Sequence, residues 1–68
     1  MAQLIYNTDR AQVYLTELDN EYIIDIDEHT HHHNVSSRII FTGCEGYYYC
    51  EKFLKTNFSI DLDDIIED

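Results

Sequence analysis

SSRIIFTGCEGYYYCEKFLKTNF, residues 36–58, carries the clearest signal of fold in the chain. Arg38 to Phe41 is a short β-branched and aromatic run, the composition of a strand. Thr42-Gly43-Cys44-Glu45 then fits the capping box, in which a hydroxyl and a carboxylate three residues apart satisfy each other's free backbone amides. The chain is therefore predicted to turn there from strand to helix. At about 100° per residue, Tyr47, Cys50, Phe53, Leu54 and Phe58 share one side, with Gly46 and Asn57 at its edge, while Glu45, Tyr48, Lys52 and Lys55 face away. A helix with that stripe covers one face of a small sheet.

Upstream, the pattern has period two. Gln3 to Tyr6 reads as a short edge strand closed by Asn7-Thr8-Asp9, whose side chains bond their own backbone and start turns. From Arg10 to Leu18, Ala11, Val13 and Leu15 share one face and Gln12, Tyr14 and Thr16 the other. Asp19-Asn20 supplies a two-residue turn able to take positive φ. Pairing outward from it sets Leu15 opposite Ile24, Val13 opposite Ile26 and Glu17 opposite Tyr22, so nearly all the apolar side chains meet on one face. The other face gathers Thr16 with Ile23, Tyr14 with Asp25 and Gln12 with Asp27. A one-residue slip scatters both sets.

Beyond Asp27 the apolar face is lost, and Glu28-His29-Thr30-His31-His32-His33-Asn34 reads as strand end plus loop. Val35 to Thr42 returns antiparallel, with Ile39 and Phe41 on one side and Arg38 and Ile40 on the other. After the helix, Phe58, Ile60 and Leu62 alternate with Ser59, Asp61 and Asp63 as in an extended segment, yet Leu62, Ile65 and Ile66 equally fit one helical turn capped by Asp61. The architecture that uses all of this is α+β: an antiparallel meander of three or four strands with one α-helix packed on one face, in a single domain over residues 1–68.

Composition bounds the function. A chain of 68 residues buries only about 60% of the surface its unfolded form exposes, which disfavours a deep catalytic cleft. Fourteen Asp and Glu against four Lys and Arg give a formal net charge of −10. That sign argues against direct binding to nucleic acid or to an anionic membrane and makes a cationic protein surface the natural partner. Cys44 and Cys50 lie roughly 240° apart on the predicted helix and cannot bridge within it. Two unpaired thiols, no apolar leader after Met1 and no long apolar run point to the cytoplasm.

Three features carry candidate chemistry. Glu17, Glu21, Asp25, Asp27 and Glu28 line the central hairpin; alternate strand residues are about 6.6–7 Å apart, a spacing able to imitate a phosphate backbone. Tyr48 and Tyr49 fall off the core face of the helix and suit an interface, where exposed Tyr is a favoured anchor. In a fully extended strand His29, His31 and His33 point to one side with Asp25 and Asp27, and imidazole with carboxylate suits Zn²⁺ or Ni²⁺. A Cys with a His imitates a nucleophile and base, but nothing orients the His and no oxyanion loop is present, so an enzyme is not expected.

Very small size, strong acidity, a sheet with one helix, cytoplasmic cysteines and no catalytic motif together resemble the small inhibitors encoded by bacteriophages and mobile elements, the anti-CRISPR and DNA-mimic proteins. The resemblance lies in general character along the whole chain and carries over no residues. It implies a non-enzymatic protein that occupies the basic nucleic-acid-binding surface of a host protein in the host cytoplasm, with Asp25, Asp27 and Glu28 standing in for phosphates. The alternatives are a His-rich Zn or Ni protein, and a structural module that forms homodimers through the Tyr-bearing helix or the edge at Gln3 to Tyr6.

Overall fold

The computed structural model describes residues 2–65. Ile66, Glu67 and Asp68, the end of the acidic tail, lie outside the described residues. The fold is α+β. Strands β1 (Ala2–Asn7), β2 (Ala11–Leu18), β3 (Glu21–His29) and β4 (Asn34–Thr42) form an open antiparallel sheet in the order of the sequence. Helix α1 (Gly46–Phe58) and a short helix α2 (Leu62–Ile65) follow.

The β2–β3 register is the one set by the hydrophobic pattern: Leu15 faces Ile24, Val13 faces Ile26, Glu17 faces Tyr22, and Tyr14 faces Asp25. Asn20 closes this hairpin at φ 64°, a conformation that Asn tolerates better than most residues. At the next turn Thr8 Oγ1 accepts from the amides of Arg10 and Ala11 at 3.2 and 3.1 Å. β1 is an edge strand, as its position predicts, but its register slips between Leu4 and Tyr6. Ile5 is the extra residue of that bulge, and both Ile5 and Tyr6 pack against the core.

Val13, Leu15, Ile24 and Ile26 make one buried cluster with Cys50 and Leu54 of α1 and Leu62 of α2. Aromatic pairs tie β3, β4 and β1 to α1: Tyr22 with Tyr47, Phe41 with Phe53, and Tyr6 with Phe58, at centroid distances of 5.6, 5.9 and 5.0 Å. Apart from Tyr6 and Leu62, these are the side chains that the helical stripe and the strand alternation single out. Tyr48, Lys52 and Lys55 are exposed, as expected from the same wheel.

The start of the helix differs from the capping-box reading. Thr42 remains in the sheet opposite Glu21, and Gly43 turns the chain at φ 85°. Glu45 occupies the N-cap without a side-chain hydrogen bond. Ladder pairing of Thr42 wins over a local cap, and Cys44 therefore sits exposed in the turn rather than on the helix. Gly46 opens α1 where a β-carbon would lie 3.2 Å from the Phe41 carbonyl oxygen, a tight contact that glycine avoids as helix and strand approach. α1 ends at Ser59, which is left-handed at φ 57°. Beyond it the helical alternative holds: Asp61 Oδ1 accepts the Asp63 amide at 3.1 Å, capping the turn that buries Leu62.

Candidate partner-binding surface

The sheet divides the expected acidic residues. By register, Glu21, Asp25, Asp27 and His29 lie on the face of β3 opposite the buried Ile24 and Ile26, beside Gln12, Tyr14 and Thr16 of β2. Glu17 and Glu28 belong to the other parity, at the two ends of the core face. Tyr48 and Tyr49 lie on α1, each about half exposed, with ring centroids 5.3 Å apart. The seven residues thus occupy three surfaces.

The central stripe is partly neutralised. Arg38 of β4 lies opposite Asp25, and its Nε donates to Asp25 Oδ1 at 2.7 Å. Ser36, two pairs along on the same face, donates its hydroxyl to Asp27 at 2.8 Å. Arg38–Asp25 is the one ion pair among the described residues.

The histidines do not converge. β3 ends at His29, because Thr30 closes a turn: its hydroxyl donates to the His33 carbonyl at 2.6 Å and accepts the His33 amide at 3.1 Å. The two-residue alternation therefore stops before His31 and His33. His29 is instead part of a polar row across the sheet, its Nε2 2.6 Å from Gln12 Oε1 and its Nδ1 3.1 Å from Asn34 Oδ1. Gln12 Nε2 donates onward to Asn7 Oδ1 at 3.1 Å, leaving its oxygen to accept from His29. Alongside lies an open groove of about 560 Å³, lined by Asp9, Arg10, Glu28, His29 and His31 among others.

A tighter cluster of carboxylates, flanked by Lys52 and Lys55, lies elsewhere. The chain reversal at Ser59 carries Asp61 and Asp63 back beside α1, where carboxylate oxygens of Glu51, Asp61 and Asp63 lie within 4.8 Å of one another. Tyr48, Lys52 and Lys55 complete a hollow of about 350 Å³ around them. Tyr47 donates its hydroxyl to Asp63. That hydrogen bond, then burial, then the charges of Asp63 and Glu51 push the Tyr47 phenol well above its ordinary range. The Tyr22 ring stands edge-on to Tyr47. Burial, followed by the charge of cross-strand Glu17, raises the Tyr22 phenol too. Glu17, Tyr22, Tyr47 and Asp63 thereby join the hairpin to the hollow.

Compared with protein-family models, curated proteins and solved structures, the chain matches none. The Glu51–Asp61–Asp63 group is the part of the surface that sequence pattern misses, since the three meet only through the reversal at Ser59. An all-oxygen set of this kind has the donor type of hard cations. Two of its members already have other work: Asp63 accepts from Tyr47, and Asp61 caps α2. Cys50 is fully buried and its thiol is pushed up to about 11 by that burial, which is the setting of an inert thiol rather than a nucleophile. No helix among the described residues is long and apolar enough to cross a membrane.

Proposed function

We propose that this chain is a non-enzymatic acidic binding protein that occupies the basic nucleic-acid-binding surface of another protein, in the manner of anti-CRISPR and DNA-mimic inhibitors of the host cytoplasm. The observation that carries the reading is uncompensated charge: a formal −10 on 68 residues with one ion pair among the described ones. Self-repulsion on that scale opposes compaction, and an oppositely charged surface relieves it on contact. In this reading α1 lies across the Val13–Ile26 side of the sheet and closes it, so that contact is made by the carboxylates that remain outside.

The contact surface centres on the hollow beside α1. Three carboxylates within reach of one another, none ion-paired with the Lys52 and Lys55 on the same rim, match the fork of an arginine or a pair of lysines, and such groups line grooves built for phosphates. Tyr48 borders the hollow and, with Tyr49, supplies an amphipathic anchor. Glu17 extends the field toward the hairpin, and Glu21, Asp27 and Glu28 add to it at longer range. Asp25 contributes least, because Arg38 offsets it.

Charge reversal tests this against an inhibited cationic partner. Glu51→Lys with Asp63→Lys is expected to weaken binding at least tenfold, about 1.4 kcal/mol or more, and to flatten its salt dependence. Asp25→Lys with Asp27→Lys is expected to do less. Unchanged affinity in both variants refutes the proposal.

A further inference from the structure

The two edges of the sheet are not equivalent. β1 is interrupted by the bulge at Ile5, which breaks the regular row of outward amides and carbonyls and makes that edge a poor template. β4 runs nine residues in unbroken register with β3, from Asn34 opposite His29 to Thr42 opposite Glu21. It holds no proline, no lysine and no carboxylate, in a chain with fourteen acids. Its one charged residue, Arg38, is drawn inward over β3 by Asp25. Among the described residues no backbone hydrogen bond reaches the outer side of Val35 to Phe41. Edges this regular, β-branched and unguarded pair with another strand.

We infer that β4 pairs antiparallel with β4 of a second copy about a two-fold axis through Ile40, joining two sheets into one. The sequence favours a second copy because Arg38-Ile39-Ile40-Phe41-Thr42 is symmetric in character about Ile40. A two-fold normal to the sheet keeps both faces in place, so paired positions add to an even number. Centred on Ile40, Ile40 meets its own copy, Ile39 meets Phe41 twice, and Arg38 meets Thr42 twice. Centred on Arg38, like charges stand directly opposite, which is unfavourable. Ile40 is about half exposed in the monomer and gains a partner. The carboxylates of β3 stay one strand back from the seam, but two chains of −10 still repel at long range.

The proposal is independent of the inhibitor reading and has the opposite salt dependence. Sedimentation equilibrium over a protein concentration series is expected to show a dimer that tightens at least tenfold between about 0.01 M and about 1 M salt, as the screening length falls from roughly 30 Å to roughly 3 Å. Ile40→Lys, at an exposed position, is expected to abolish it while leaving the circular dichroism spectrum unchanged. In a Cys44→Ser background, Ile40→Cys is expected to form a cross-linked dimer under mild oxidation faster than Val35→Cys, which the register places opposite residue 45. A chain that stays monomeric at high salt and high concentration, or Val35→Cys cross-linking as fast as Ile40→Cys, overturns the inference.

Discussion

Replacing Glu51 by Gln removes the charge from one corner of the carboxylate triangle while keeping the side chain's size. The oxygens concerned lie within 4.8 Å of one another. At about 5 Å two unit charges in bulk water repel by roughly 0.8 kcal/mol, so the loss of two such pairs relieves about 1.6 kcal/mol. Against this, Glu51 precedes Lys55 by four residues on α1, a spacing whose attraction is worth at most ~0.2–0.5 kcal/mol on a helix surface, with no ion pair between the two. Solvent exposure and salt trim both contributions. The net expectation is a stabilisation of about 1 kcal/mol in dilute buffer, fading near 1 M salt, where screening acts over about 3 Å. In a domain of this size that raises Tm by roughly 4–8 °C. Thermal unfolding of Glu51→Gln and the parent, followed by circular dichroism at low and high salt, reads it directly. An unchanged or lowered Tm in dilute buffer, or a gain indifferent to salt, refutes the idea that this cluster is held under repulsion.

Leu54→Ala deletes a fully buried side chain and is expected to cost about 2–5 kcal/mol, enough to leave so small a domain largely unfolded in urea titrations where the parent is folded. Cys50, Tyr22 and Tyr47 all have raised pKa values in the fold. The unfolded groups ionise first, so stability is full below pH 9 and is lost as pH rises through 11. Cys50 accounts for up to about 2–3 kcal/mol of that loss, and Cys50→Ala, though less stable throughout, should show a shallower decline across the window. Calorimetry of chelator-treated protein with Zn²⁺ should give only weak uptake, because His29 is engaged by Gln12 and Asn34 and His31 and His33 leave its strand; submicromolar binding contradicts this.

The hairpin was legible because side-chain period two and a two-residue turn leave one register that buries Val13, Leu15, Ile24 and Ile26 together. The core face of α1 was legible for a similar reason, since Tyr47, Cys50, Leu54 and Phe58 recur at helical spacing. What failed was local. Thr42 and Glu45 match a cap in sequence, but Thr42 has a ladder partner in Glu21, and cross-strand pairing outweighs a surface hydrogen bond. The segment after Ser59 fits two periods over so few residues that burial of Leu62 decides between them.

The surface was less legible than the fold. Strand alternation placed Asp25 and Asp27 together correctly, yet it says nothing of Arg38 until β4 is paired. Glu51 and Asp63 are twelve positions apart, and only a left-handed Ser59 followed by a buried Leu62 brings them together. The break in helical pattern at Asn57 to Ser59, followed at once by an acid-apolar-acid run, was the available signal for that return.

On the function proposed for this chain, negative charge beyond what so small a fold neutralises is matched by a basic nucleic-acid-binding surface. Immobilised protein and a Glu51→Gln, Asp61→Asn, Asp63→Asn variant are exposed to bacterial lysate in parallel, then washed with duplex DNA and with rising salt. The expected result is a cationic nucleic-acid-binding protein retained by the parent, displaced by DNA, released by salt and lost from the variant. Equal retention by parent and variant, or a retained protein that DNA fails to displace, contradicts it.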